Sequence, residues 1–246
     1  MGAAVAGIFG ALLGAPTLRL RGDYLAVVTL AFGEIIRLFI NNLGHPLNLT
    51  NGARGISPID DLQLFGLSLG RPLDLGFMTL APVTLYAYLL LAQVGLSVLV
   101  SARLQRSRLG RAWMALREDE MAARAMGLDT RALKLRAFAV GACFGGVAGV
   151  FFAALQGFIS PESFSLQESV LIVAMVVLGG LGHVPGVILG ALLLSVLPEV
   201  LRHASGPLQR LTDGHLDAPI LRQLLIALAM IGIMLWRPQG LWVARR

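Results

Sequence analysis

Apolar residues run in long blocks along this chain, separated by short polar stretches. Residues 24–40, 79–100, 137–159 and 220–236 are near-continuous apolar segments, the pattern of helices that cross a bilayer, where roughly 20 residues span a 30 Å hydrocarbon layer. Residues 1–15 form a further apolar block rich in Gly and Ala. The first arginine is Arg19, so this block lacks the basic start of a signal peptide and reads as the end of a spanning helix, in a chain that starts late or was shortened. Residues 169–181 and 187–197 are each too short to cross untilted, and the string Gly182-His-Val-Pro-Gly186 interrupts them, because Gly and Pro together break a helix.

The polar stretches orient these blocks. Residues 101–136 hold Arg103, Arg106, Arg108, Arg111, Arg117, Arg124, Arg131, Lys134 and Arg136, nine of the 20 basic residues, and positive charge gathers on the cytoplasmic side of a membrane. Residues 41–78 then lie outside, and Arg19 and Arg21 inside. If the Arg245-Arg246 tail is inside as well and residues 220–236 are a single span, residues 169–201 must enter and leave on one side, as two short helices or a re-entrant pair; the other reading is one long kinked span with the tail outside. Irregular backbone at that depth survives where protein or a water-filled cavity surrounds it.

Composition agrees with the pattern. Of 246 residues 56% are hydrophobic and 14% charged, with a net charge of +6 and a mean hydropathy of +0.76, against about a quarter charged residues in soluble domains. Much of the surface therefore faces membrane lipid, and nucleic acid is not an expected partner. One cysteine, Cys143, removes intramolecular disulfides and multi-cysteine metal sites. The expected fold is all-α, a polytopic transmembrane helix bundle with a broken or re-entrant helix pair.

Within residues 101–136, Leu109, Trp113, Leu116, Ala123 and Met126 recur at helical spacing, an amphipathic stripe on a segment too polar to span. Gly127 ends that helix, and Asp129 or Thr130 caps the next. Small side chains at Ala122 and Ala123 admit a partner, while Glu120 and the arginines can pair across the rim. Glu34 and Arg37 lie three apart on one helical face of an apolar segment and can pair. With Thr29 they are candidates for a path for a zwitterionic solute. The other reading of Glu34 and Arg37 is an ion pair near the outer interface, where Arg37 snorkels. Gly141, Gly145 and Gly149 permit close helix packing, within the chain or against a partner, and Gly182, Pro185 and Gly186 break the helix pair.

The string Glu120-Met-Ala-Ala-Arg-Ala-Met-Gly127 resembles the EAA loop of ABC-importer permeases. With Leu20-Arg-Gly-Asp-Tyr-Leu-Ala-Val-Val-Thr-Leu-Ala-Phe-Gly-Glu-Ile-Ile-Arg37, Asn51-Gly-Ala-Arg-Gly-Ile56, Ser107-Arg-Leu-Gly-Arg-Ala112, Arg117-Glu-Asp-Glu120 and Val177-Leu-Gly-Gly-Leu-Gly182 in this order, the chain resembles the LivM-type permease subunits of branched-chain amino acid ABC importers. Members of that family are usually longer at the N-terminus, with more helices before the match, and more often carry two adjacent glycines in the Asn51 stretch. The resemblance implies a single permease domain over residues 1–246 in a bacterial inner membrane, with a cytoplasmic coupling helix in which Glu120, Ala122, Ala123 and Gly127 engage an ATPase. It implies a LivH-like second permease, two cytoplasmic ATPases that bind the ATP, a periplasmic substrate-binding protein, and no cofactor in this chain. The solute is leucine, isoleucine, valine or a related small polar molecule, and the same pattern also resembles urea and short-amide importers.

Other chemistry finds no support. Gly66-Leu-Ser-Leu-Gly70 matches a nucleophile elbow without its strand-turn-helix context or an associated histidine. His45, His183, His203 and His215 are far apart, so no metal site is expected. Asn48-Leu-Thr50 is a glycosylation sequon that matters only in a secretory-pathway host, and Lys134 follows Leu133, so no P-loop exists. The chain is expected to be no enzyme. The alternative is an ion-coupled secondary transporter, favoured by the broken helix but short of intramembrane charge.

Overall fold

The computed structural model describes residues 1–17, 23–44, 50–64, 67–68, 70, 73–74, 79–180, 182–211, 224, 227–228 and 231–232. The expected span at 220–236 falls mostly outside the described residues, and the Arg245-Arg246 tail and Arg19 and Arg21 lie wholly outside them. Eight helices are described: α1 (Gly2–Thr17), α2 (Asp23–Asn42), α3 (Pro82–Arg106), α4 (Arg108–Glu118), α5 (Glu120–Ala125), α6 (Thr130–Gln156), α7 (Leu166–Gly179) and α8 (Val184–Leu211). Two small antiparallel ladders, β1 (Gln63–Leu64) with β2 (Leu67–Ser68) and β3 (Leu73–Asp74) with β4 (Thr79–Leu80), stand between α2 and α3. Pro82–Arg106, Thr130–Gln156 and Pro161–Gly179 are long and apolar enough to cross a membrane. The fold is the expected all-α polytopic membrane protein. Along α3 the side chains of Val83, Tyr88, Leu91, Val94, Leu96 and Leu99 are exposed, as suits a helix whose solvent is lipid.

Two compact units divide the chain, Met1–Ser165 and Leu166–Arg246. In the first, α1 lies along α6, and the reason is local. Gly2, Gly7, Gly10 and Gly14 meet Val150, Cys143, Ala142 and Phe138 in turn, so the two helices run antiparallel. A Cβ on Gly14 would lie 3.0 Å from the Phe138 Cβ, and one on Gly146 would lie 3.2 Å from the Ala3 Cα. In a bilayer, contact between helices comes from such close packing. The sequence singles out Gly141, Gly145 and Gly149 for this role, but open space lies beyond each of them. Gly146, one residue from that stripe, makes the intrachain contact.

In the second unit α7 and α8 form the expected helix pair. A Cβ on Gly190 would lie 2.7 Å from the Gly179 nitrogen, and one on Gly179 would lie 2.6 Å from the Gly186 carbonyl carbon, so the legs run antiparallel. Ala174, Leu178 and Leu194 are buried between them. The break sits a little earlier than its Gly/Pro signal: Gly180 and Gly182 take positive φ, while Pro185 and Gly186 already belong to the first turn of α8. Proline fits there because the first turn leaves its N–H groups without intrahelical partners. α8 also continues through Pro198 to Leu211, 28 residues in all, well beyond the short leg expected at 187–197.

Candidate functional site

The helix expected between residues 101 and 136 is two helices. Ser107 opens α4 by accepting the Gly110 N–H at 3.1 Å. Asp119 opens α5, accepting the N–H groups of Met121 at 2.7 Å and Ala122 at 3.0 Å. Asp129 opens α6, accepting from Arg131 and Ala132, both at 3.1 Å. Each carboxylate satisfies donors that the first helical turn cannot. Gly127, at φ 82°, closes α5: its N–H donates to Arg124 O and that of Leu128 to Ala123 O, a Schellman turn that disfavours any residue with a Cβ. The Gly127 and Asp129 expectations match this geometry, whereas the break at Asp119 was not expected.

This unit is tied back onto α6. The Trp113 indole N–H donates to Leu133 O at 2.8 Å, and Lys134 Nζ reaches Glu120 Oε2 at 2.8 Å. Arg124 pairs more loosely with the same carboxylate at 3.4 Å. Ala123 is 4% exposed and Thr130 and Leu133 are buried, so Ala123 packs within the chain rather than facing outward as its stripe suggests. The outward groups of α5 and its turn include Met121, Ala122, Ala125 and Met126, with the two methionines 72% and 84% exposed. Of the four residues expected here, Ala122 is presented outward, Gly127 shapes the turn, and Glu120 and Ala123 hold the helix in place.

A second cluster forms around the C-terminal half of α2. The Arg37 guanidinium donates from Nε to both Glu34 carboxylate oxygens at 3.1 Å and from Nη1 to Glu162 Oε1 at 2.9 Å. Glu162 lies in a 3-10 turn, Pro161–Phe164. Chain pairing brings it there: Ile56 and Ile159 exchange both backbone hydrogen bonds, at 2.8 and 3.1 Å. Gly55 permits that approach, since at φ 71° a Cβ would lie 3.0 Å from the Ser160 Cα, and Asn51 Nδ2 caps the turn through Gly55 O at 3.2 Å. The expected Glu34–Arg37 pair is present. Glu162, 125 residues away from Arg37, has no local sequence signal and was missed.

Two cavities lie along α2. One, about 470 Å³, is walled by Ile36, Ile40, Ile56, Ile159 and Phe164, with Arg37 in its lining. The other, about 600 Å³, lies among α1, α2 and α6 and includes Thr29, Phe32, Phe138 and Gly141. Thr29 is thus placed with the apolar cavity, apart from the charged cluster.

Residues 1–234 match the family described as branched-chain amino acid transport system, permease component. The chain is 46% identical to the high-affinity branched-chain amino acid permease protein LivM of Escherichia coli, over 94% of this chain and 53% of that protein. A probable LivM of Methanocaldococcus jannaschii is 28% identical over 95% of this chain and 64% of its own length. The permease LivH of Salmonella typhimurium is 33% identical over 43% of this chain and 33% of that protein. The chain spans about half the length of the Escherichia coli relative it matches. No solved structure matches it.

Proposed function

The chain belongs to the family of permease components of branched-chain amino acid transport systems, and from that premise we propose that it is the membrane-spanning subunit of an ATP-driven importer carrying leucine, isoleucine or valine inward. It performs no covalent chemistry of its own. Its partners are a second, LivH-like permease, two cytoplasmic ATPases and a periplasmic substrate-binding protein, and its site is the bacterial inner membrane. The observation that carries this reading is the α4–α5–Gly127 unit. A short, doubly capped helix presents Met121, Ala122 and Met126 outward while Glu120 and Trp113 fasten it to α6. Exposed flexible apolar side chains ringed by arginines suit a protein partner. A push on α5 passes directly into α6, which is the mechanical requirement for coupling.

The charged cluster supports an amino acid as the solute. Two carboxylates against one guanidinium leave it one negative charge, suited to an ammonium group, and the isoleucines and Phe164 beside it suit a branched aliphatic side chain. Urea and short amides carry no ammonium. The test is uptake of labelled leucine, urea and propionamide into proteoliposomes holding the assembled complex, with and without ATP. ATP-dependent leucine uptake is expected. Uptake driven by an ion gradient without ATP would replace this reading with a secondary transporter.

A further inference from the structure

The two cavities on α2 are not independent, because Gly33 and Ile36 line both. The lining positions Thr29, Phe32, Gly33, Ile36, Arg37 and Ile40 fall at i, i+3, i+4, i+7, i+8 and i+11, one continuous stripe of a helix. At 1.5 Å per residue the stripe extends roughly 16 Å, about half of a hydrocarbon layer. Each cavity falls within the range of about 300 to 1,000 Å³ typical of small-molecule sites. They differ in character. The Arg37-side cavity has one charged residue in its lining, Arg37, whereas the α1-side cavity is lined by Gly10, Leu13, Phe32 and Phe138, with the Thr17 hydroxyl in its lining already donating to Gly14 O.

Gly33 itself lacks a packing reason. A glycine inside a helix is destabilising relative to alanine, and among the described residues nothing lies within 4 Å of a Cβ built there. The seam glycines of α1 are each filled by a side chain or backbone of α6, so their small size is accounted for. At Gly33 the missing side chain leaves open the place where one cavity adjoins the other, and Ile36, about one turn on and also lining both cavities, supplies bulk beside that opening.

We propose that Gly33 and Ile36 form the constriction through which the solute passes between the two chambers, with Ile36 setting the size that passes. This rests on the transport reading above. The Arg37 end of the stripe receives the charged groups of the solute, the gap at Gly33 admits the aliphatic body, and the α1-side chamber takes it up next.

The first test uses single cysteines in the full complex in a Cys143→Ala background. Gly33→Cys should react with a small water-soluble methanethiosulfonate and be slowed by leucine. Gly95→Cys, on exposed α3 with nothing within 4 Å, should react only with a membrane-soluble maleimide. If Gly33→Cys behaves like Gly95→Cys, lipid or another helix fills the groove and the constriction is overturned. The second test is transport. Gly33→Leu should reach the membrane at normal abundance yet lower leucine uptake about tenfold or more, and Ile36→Ala should raise the ratio of phenylalanine to leucine uptake about tenfold, the scale of one to a few methylenes in a pocket. Wild-type rates and selectivity in both variants would overturn the proposal. Absence of ATP-dependent uptake by the wild-type complex would overturn the transport reading instead, and the thiol reaction at Gly33→Cys is decided without it.

Discussion

The α4–α5 unit and the cluster around Arg37 are both built from charged side chains, yet they are held in opposite ways. In the first, each carboxylate cap bonds residues two or three positions on, and Gly127 closes the turn through neighbours of its own helix. In the second, Arg37 pairs locally with Glu34 but also reaches Glu162 far along the chain, and Glu162 is brought there by the Ile56–Ile159 pairing. A unit made of short-range contacts can shift as a body and keep its shape. One that includes a long-range contact changes whenever the segments carrying that contact part. The first arrangement suits a part that is pushed, the second a part that senses separation.

Removing the guanidinium should break the contrast most severely. Arg37→Gln leaves two carboxylates without their cation, so leucine uptake and folded yield should both fall, and more than in the Glu34→Gln/Arg37→Gln double variant. A double-mutant cycle on both readouts checks this, and simple additivity would mean that the two groups act independently. Arg37→Lys should restore little, since an ammonium lacks the planar fork that serves two carboxylates.

A local break should act on coupling rather than on the cluster. Gly127→Val forces a branched residue into positive φ, a strain of about 1–3 kcal/mol, and should abolish leucine-stimulated ATP hydrolysis while membrane abundance stays normal. Ala122→Leu, at an exposed position, should weaken capture of the ATPase in a pull-down without destabilising the chain. Ala123→Leu is a different experiment, because the buried site overpacks at about 1–3 kcal/mol and should lower the melting temperature as well. Equal melting temperatures for the two variants would show that Ala123 is not packed within the chain.

The smaller effects sharpen the picture of α5. Asp119→Ala removes one cap and should cost about 1 kcal/mol, read as faster hydrogen exchange at Met121 and Ala122. Lys134→Gln loosens the half-exposed pair with Glu120 and should cost about 1 kcal/mol or less, with a coupling defect that high salt reproduces in the wild type.

These same contacts show what a reader of the sequence can find. Gly127 and Asp129 were legible because turn and cap chemistry is written within a few residues of where it acts. Asp119 carries the same kind of signal but sits inside an apolar stripe that suggests one uninterrupted helix. Glu162 has no such signal, since its partner is reached only after the loops at Ile56 and Ile159 pair. The glycines of α6 were legible as small residues, but periodicity does not say which face a neighbour will take, and α1 took the Gly146 face. The Gly/Pro break was legible, and the length of α8 was not, because Pro198 reads as a stop and the helix continues through it.

The α1–α6 seam limits how those helices can move. Phe138, Ala142 and Val150 each seat in a notch left by a glycine of α1, so the pair is indexed like a key in its wards. A partial slide would drive a methyl or a ring into backbone. The steric openings recur only after a whole helical turn, roughly 5.4 Å. Relative travel between α1 and α6 is therefore stepwise, and small displacements arriving at α6 carry α1 along as one piece.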